Sequence, residues 1–317
     1  MSALLGSAIG FFLAWTSLAW ITSAVGCGIV HLLSRRDAKP AWMRWASAAA
    51  LTGPLLLATT ITGSMALASL VGVDHCPEHL HHPHLCLLHG GAWAERPLAS
   101  ALAAGTAVLL IAMLVTRLYA AARTAILVRR LREHSTRVAG AWLVESDELL
   151  CFTAGIRRPE IFVSTAAWRA LPDEPRTAML AHERSHVLGR DPAWQGLLSV
   201  CAVAGLPFFA DRLVQTWKGA TERLCDAAAA RKVGAVAVAE ALVVMAKASR
   251  NRFVTAFGPA PSDLVERVRA VLDESAQPEA AVSSRAWIVV VPIVLLGAFV
   301  GFAETMHHFL ESILGRL

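Results

Sequence analysis

The chain has 317 residues, 56% of them hydrophobic and only 17% charged, with a positive mean hydropathy, which excludes an ordinary soluble protein of this length. Its net charge of +5 is carried largely by Arg residues that flank apolar segments, so it argues for a lipid bilayer as partner and against direct nucleic-acid binding.

A helix needs about 20 residues to cross roughly 30 Å of hydrocarbon, and four apolar runs meet that length: residues 3–33, 46–73, 98–120 and 286–303. The first has neither the basic leading region nor the small-residue cleavage site of a secretion signal, so it reads as a span. Trp42, Trp45, Trp93 and Trp287 lie near span ends and suit interfacial anchors. Arg35, Arg36, Lys39 and Arg44 stand between the first two spans, whereas no Lys or Arg precedes Phe11. Basic residues favour the cytoplasmic side, which puts both termini outside the cell membrane, the loop 74–97 outside, and residues 117–285 inside.

The outer loop carries His75, His79, His81, His82, His84 and His89 together with Cys76 and Cys86. It reads as a transition-metal site, as a small loop closed by a Cys76 to Cys86 disulfide, or as a polar loop of biased composition. Cys27, Cys151, Cys201 and Cys225 fall in spans or in the inner segment and are expected to be reduced packing residues.

Past the third span come short strand-like segments at 141–145, 149–153 and 161–165, the last two joined by the turn sequence Gly155 to Pro159, and helices follow from about Glu174. The strand 161–165 either offers a free edge to an extended substrate or is an internal strand. Then His182, Glu183 and His186 form an H-E-x-x-H set. Residues four apart share a helix face, so both imidazoles can reach one zinc ion, with Glu183 beside the metal's open position as the catalytic carboxylate. Such a site needs a third ligand and a carboxylate that orients a ligating histidine through its other ring nitrogen. Glu222 and Asp226, four apart downstream, suit those two roles. Asp191 is a weaker candidate for orienting a histidine, since as Asp191-Pro192 it reads first as the end of the motif helix. The apolar stretch 192–210 is not expected to cross, because a span there would carry Glu222 to the opposite side from the two histidines.

The run from Cys151 to Thr165, then Ala181 to His186 with Arg190-Asp191-Pro192, then Glu222 to Asp226, resembles the BlaR/MecR-type antirepressor membrane metallopeptidases, and more distantly HtpX and the CAAX prenyl proteases. The resemblance covers about residues 117–274 and the four-span layout. It implies that His182, His186 and Glu222 hold one Zn2+ and that Glu183 is catalytic. The expected architecture is therefore a mostly α membrane protein with four transmembrane helices and a cytoplasmic α+β zincin-type metallopeptidase domain. Residues 1–120 hold three spans and the outer loop, 121–285 the peptidase, and 286–317 the fourth span and a short outer tail. The implied function is zinc-dependent endoproteolysis of a protein substrate, either a cytoplasmic DNA-binding repressor or the chain itself. HtpX-like quality control of membrane proteins is the alternative, and a receptor with an inactive zinc domain is disfavoured because a structural site has no use for Glu183. The β-lactam sensors of this family carry an outer penicillin-binding domain. Here residues 304–317 follow the last span and no Ser-x-x-Lys set occurs, so sensing by acylation is not carried over.

Overall fold

The computed structural model describes residues 2–71, 93, 95–249 and 261–273; the histidine-rich loop with Cys76 and Cys86, and the apolar run 286–303, lie outside them. The described chain is mostly helical with one small sheet. Three helices, α1 (Ser2–Arg35), α2 (Pro40–Val71) and α3 (Pro97–Glu133), are long and apolar enough to cross a membrane, the make-up of a membrane protein.

Helices α1 and α2 form an antiparallel pair that meets through small residues. A Cβ added at Gly26 would lie 3.0 Å from Ala50 Cβ, and Ser23 and Ser47 are buried. In hydrocarbon the attraction between helices comes from close contact, which small residues permit. Helix α3 packs lightly against α1 and against residues 191–204, burying Ala99 and Ala103 while Leu102, Val108, Ile111 and Val115 face outward. Its 37 residues make a rod of about 55 Å, longer than hydrocarbon alone requires. The third span, read from the sequence as ending at 120, thus continues without a break into a basic extension bearing Arg123, Arg129, Arg130 and Arg132.

The sheet comprises β1 (Thr136–Val138), β2 (Ala141–Val144), β3 (Cys151–Ala154) and β4 (Glu160–Ser164) in the order β1-β2-β4-β3. β1 and β2 form a hairpin whose two turn residues, Ala139 and Gly140, both have positive φ, as a two-residue turn matched to strand twist requires. β4 lies in the interior, parallel to β2 and antiparallel to β3. The free-edge role considered for residues 161–165 therefore falls away: Ile161, Phe162, Val163 and Ser164 are all buried, and both backbone edges are paired. The outer strand on that side is β3. The turn between β3 and β4 depends on Gly155, where φ is +113° and an added Cβ would stand 2.4 Å from the Arg158 carbonyl oxygen.

After the short α4 (Thr165–Ala170), capped by Ser164 Oγ accepting from the Ala167 N–H, the chain enters α5 (Asp173–Gly189) and α6 (Asp191–Cys201). A 3-10 turn at Ala202–Ala204 and a break at Gly205 and Leu206 separate α6 from α7 (Pro207–Val233). The stretch 192–210 is thus a short helix and a turn, too short to cross. Its turn packs on α1, since a Cβ at Gly205 would lie 2.7 Å from Ser23 Oγ. Helices α8 (Ala235–Ser249) and α9 (Pro261–Leu272) complete the described chain.

Helix α7 joins two cores. Its first half packs Leu213, Val214, Trp217 and Ala220 against Met43, Ala48 and Leu51 of α2. Its second half packs Ala229 and Ala230 against Ala178 and Ala181 of α5, with Ala237, Val238 and Val271 behind. Alanines at that crossing let the α5 and α7 backbones approach closely, which brings the polar residues of both helices within reach of one another.

Candidate metal centre

Asp173 and Glu174 in the first turn of α5 complement its dipole, and Arg190 in the left-handed conformation (φ 52°) closes its end. On the same face of this helix His182 and His186 point their Nε2 atoms toward each other at 3.1 Å. From α7, Glu222 brings Oε2 to 3.4 Å from His182 Nε2 and Oε1 to 3.5 Å from His186 Nε2. Ligands about 2.0–2.1 Å from a tetrahedral zinc stand about 3.3–3.4 Å from one another. Each histidine nitrogen thus has one Glu222 oxygen near that spacing, the donor atoms all lie within 4.8 Å of one another, and two imidazoles with a carboxylate are donors that suit such an ion.

Each histidine is oriented through its other nitrogen. His182 Nδ1 donates to Asp226 Oδ1 at 2.9 Å, and Asp226, fully buried, is held in turn by the Arg267 fork at 2.7 and 2.8 Å. Arg267 also reaches Glu222 Oε2 at 3.1 Å. His186 Nδ1 donates to Asp191 Oδ2 at 2.8 Å, and Asp191 Oδ1 accepts from Arg44 Nη2 at 2.5 Å. Asp191 begins α6 directly after α5 ends, so it both marks the helix end and turns back to orient His186. Gly189 makes that fold-back possible: a Cβ there would lie 2.8 Å from Asp191 Oδ1.

The charges reinforce one another. Burial works against the charged form of His182, yet Asp226 and Glu222 outweigh it and raise the ring from 6.5 to about 10. Burial likewise opposes ionisation of Glu222, and His182, Arg267 and His186 prevail, lowering it to about 2. Asp226 is held below the usual carboxylate range against its burial by His182 and Arg267. Cys225 packs its Sγ 3.5 Å from His186 Nδ1; burial and the carboxylates of Asp191 and Glu222 push its thiol upward, as suits an unreactive packing residue. Cys27, Cys151 and Cys201 are free as well.

Glu183 is buried and faces the sheet. The Thr153 hydroxyl of β3 lies 2.7 Å from its Oε2, to which it donates, and 3.1 Å from its backbone carbonyl. Arg184, by contrast, points to solvent and donates to the Ala139 carbonyl, tying α5 to the β1–β2 turn. All five residues singled out from the sequence, His182, Glu183, His186, Glu222 and Asp226, thus belong to the α5–α7 crossing; His182, His186 and Glu222 converge on one point, Asp226 stands behind His182, and Glu183 faces the sheet. Nothing local in the sequence marks Arg44, Arg267 or Thr153 as part of the site, for they lie 147, 41 and 30 residues from the groups they contact. Comparison with protein-family models, with curated proteins and with solved structures gives no match.

Proposed function

We propose that this chain is an integral-membrane zinc metalloendopeptidase of the BlaR/MecR antirepressor type, acting on the cytoplasmic side upon a protein substrate, with a DNA-binding repressor or the chain itself as the target. The observation that carries the reading is the triangle of donors from His182, His186 and Glu222, with Glu183 adjacent in the same helix. When bound there, zinc supplies Lewis acidity that polarises a scissile carbonyl and acidifies water.

The protein's own groups do the rest. Asp226 and Asp191 accept from the Nδ1 atoms, which leaves both Nε2 lone pairs free to ligate and fixes the ring planes. Glu183 removes the proton of the attacking water and delivers it to the departing amine. Thr153 holds that carboxylate in place before reaction, so less reorganisation is needed when it acts. Among the described residues, the outer strand β3, which carries Thr153, pairs on one side only, with β4. An extended peptide adding there would run past Glu183, with main-chain hydrogen bonds setting its register.

The experiment is a comparison of cellular proteins between wild type and Glu183→Gln, with zinc measured in both purified proteins. The variant keeps the shape of the side chain and removes the base, so zinc should be retained while a specific cleavage product disappears. Undiminished cleavage in Glu183→Gln would sink the peptidase reading. The identity of the lost product separates signalling from broad quality control.

A further inference from the structure

The two histidines are supported by two arms of unlike origin. The His182 arm runs through Asp226 to Arg267, from α7 to α9. The His186 arm runs through Asp191 to Arg44, which sits near the start of α2, one of the helices fit to cross a membrane. The second arm is largely buried. Asp191 is 5% exposed, and a buried carboxylate needs hydrogen-bond partners to replace its lost hydration. The Arg44 guanidinium lies 5.7 Å from the ring of Trp45 on α2 and 5.5 Å from that of Trp217 on α7. Trp45 in turn meets Trp194 of α6 edge-on at 6.0 Å. Aromatic faces on both helices thus aim the guanidinium at Asp191, and they do so only while α2 is seated against α6 and α7.

We propose that Arg44 is a positioning residue for the metal centre, tying His186 through Asp191 to helix α2, so that the ligand geometry depends on how that helix is docked. This rests on the zinc reading above. It gives a movement of α2 against α7 a direct route to the metal: an altered α2 withdraws the cation from Asp191, and His186 loses its fixed ring plane. Loss of a partner that orients a ligating histidine typically weakens metal binding about 10–100-fold.

The test uses the full-length protein in detergent, loaded with Co2+ for its ligand-sensitive absorption bands, and with Zn2+ for release into an excess of chelator. Arg44→Met, which keeps length and apolar contact without charge, should shift the Co2+ bands and speed Zn2+ release about 10–100-fold. Asp191→Asn should do the same. The double variant should be no worse than the more damaging single one, since both remove a single link. Arg44→Lys keeps the charge but loses the planar guanidinium and its packing on Trp45 and Trp217, and should give a smaller change in the same direction, which also covers the case in which Arg44→Met does not fold. Arg117→Met, which breaks the exposed pair between Arg117 on α3 and Asp211 on α7, is the control and should leave both readouts unchanged. A wild type that binds neither metal overturns the zinc reading and the link with it. A wild type that binds them, with Co2+ bands and Zn2+ release unaltered in Arg44→Met or, where that variant does not fold, in Arg44→Lys, overturns the link alone.

Discussion

His182 stands between two carboxylates, Asp226 and Glu222, and its titration is open to measurement. With the ring raised from 6.5 to about 10 by Asp226 and Glu222, a protonated His182 must give up its proton before it can ligate. Zinc binding at pH 8 should therefore release more protons from wild type than from Asp226→Asn, in which only Glu222 still raises the ring. Calorimetry in two buffers of different ionisation enthalpy measures the difference, and equal release would show that Asp226 does not control the ring. The linked stability has a definite sign. Because the folded value lies above 6.5, the contribution is complete below that pH and is lost as pH rises through about 10. The zinc-stripped protein should accordingly lose thermal stability across that alkaline window, and Asp226→Asn should flatten the slope. Glu222→Ala removes one ligand outright, and metal analysis should find zinc severely depleted; undiminished zinc would reject that assignment.

Among the elements, β4 is the test of how the sheet supports α5. Phe162 is fully buried and stacks on Phe152 of β3 with ring centroids 5.5 Å apart. Phe162→Ala should destabilise the sheet by about 3–5 kcal/mol, the usual cost of emptying a buried aromatic site. It should be seen as a lowered melting midpoint. Gly155→Ala attacks the same unit from its turn, where positive φ and the 2.4 Å approach to the Arg158 carbonyl oxygen leave no room for a methyl group. Since β3 carries Thr153, Gly155→Ala should lower both the melting midpoint and the proteolytic rate, whereas a surface change at Arg157 should alter neither.

For the whole molecule, the side of the membrane that the site faces is measured by thiol labelling. Cys225 is buried against His186 and so is a poor reporter of sidedness. An exposed position does better: Arg157→Cys, made with Cys76 and Cys86 replaced by Ser, should resist an impermeant thiol reagent in intact cells and react after lysis. Reaction in intact cells would place the site outside and remove any intracellular repressor from its reach. The sequence alone determined the membrane setting, from hydropathy, and the core of the site, because both i,i+4 pairs are local patterns that a helix converts directly into shared faces. The stretch 192–210, expected from the sequence not to cross, is divided in the structure into α6, a 3-10 turn and the start of α7. Only the tertiary structure decided that β4 is interior, that α3 runs on beyond 120, that Thr153 holds Glu183, and that Arg267 and Arg44 back the two histidines. Those features arise from contacts between segments far apart in the chain, where residue spacing carries no record of which surfaces will meet.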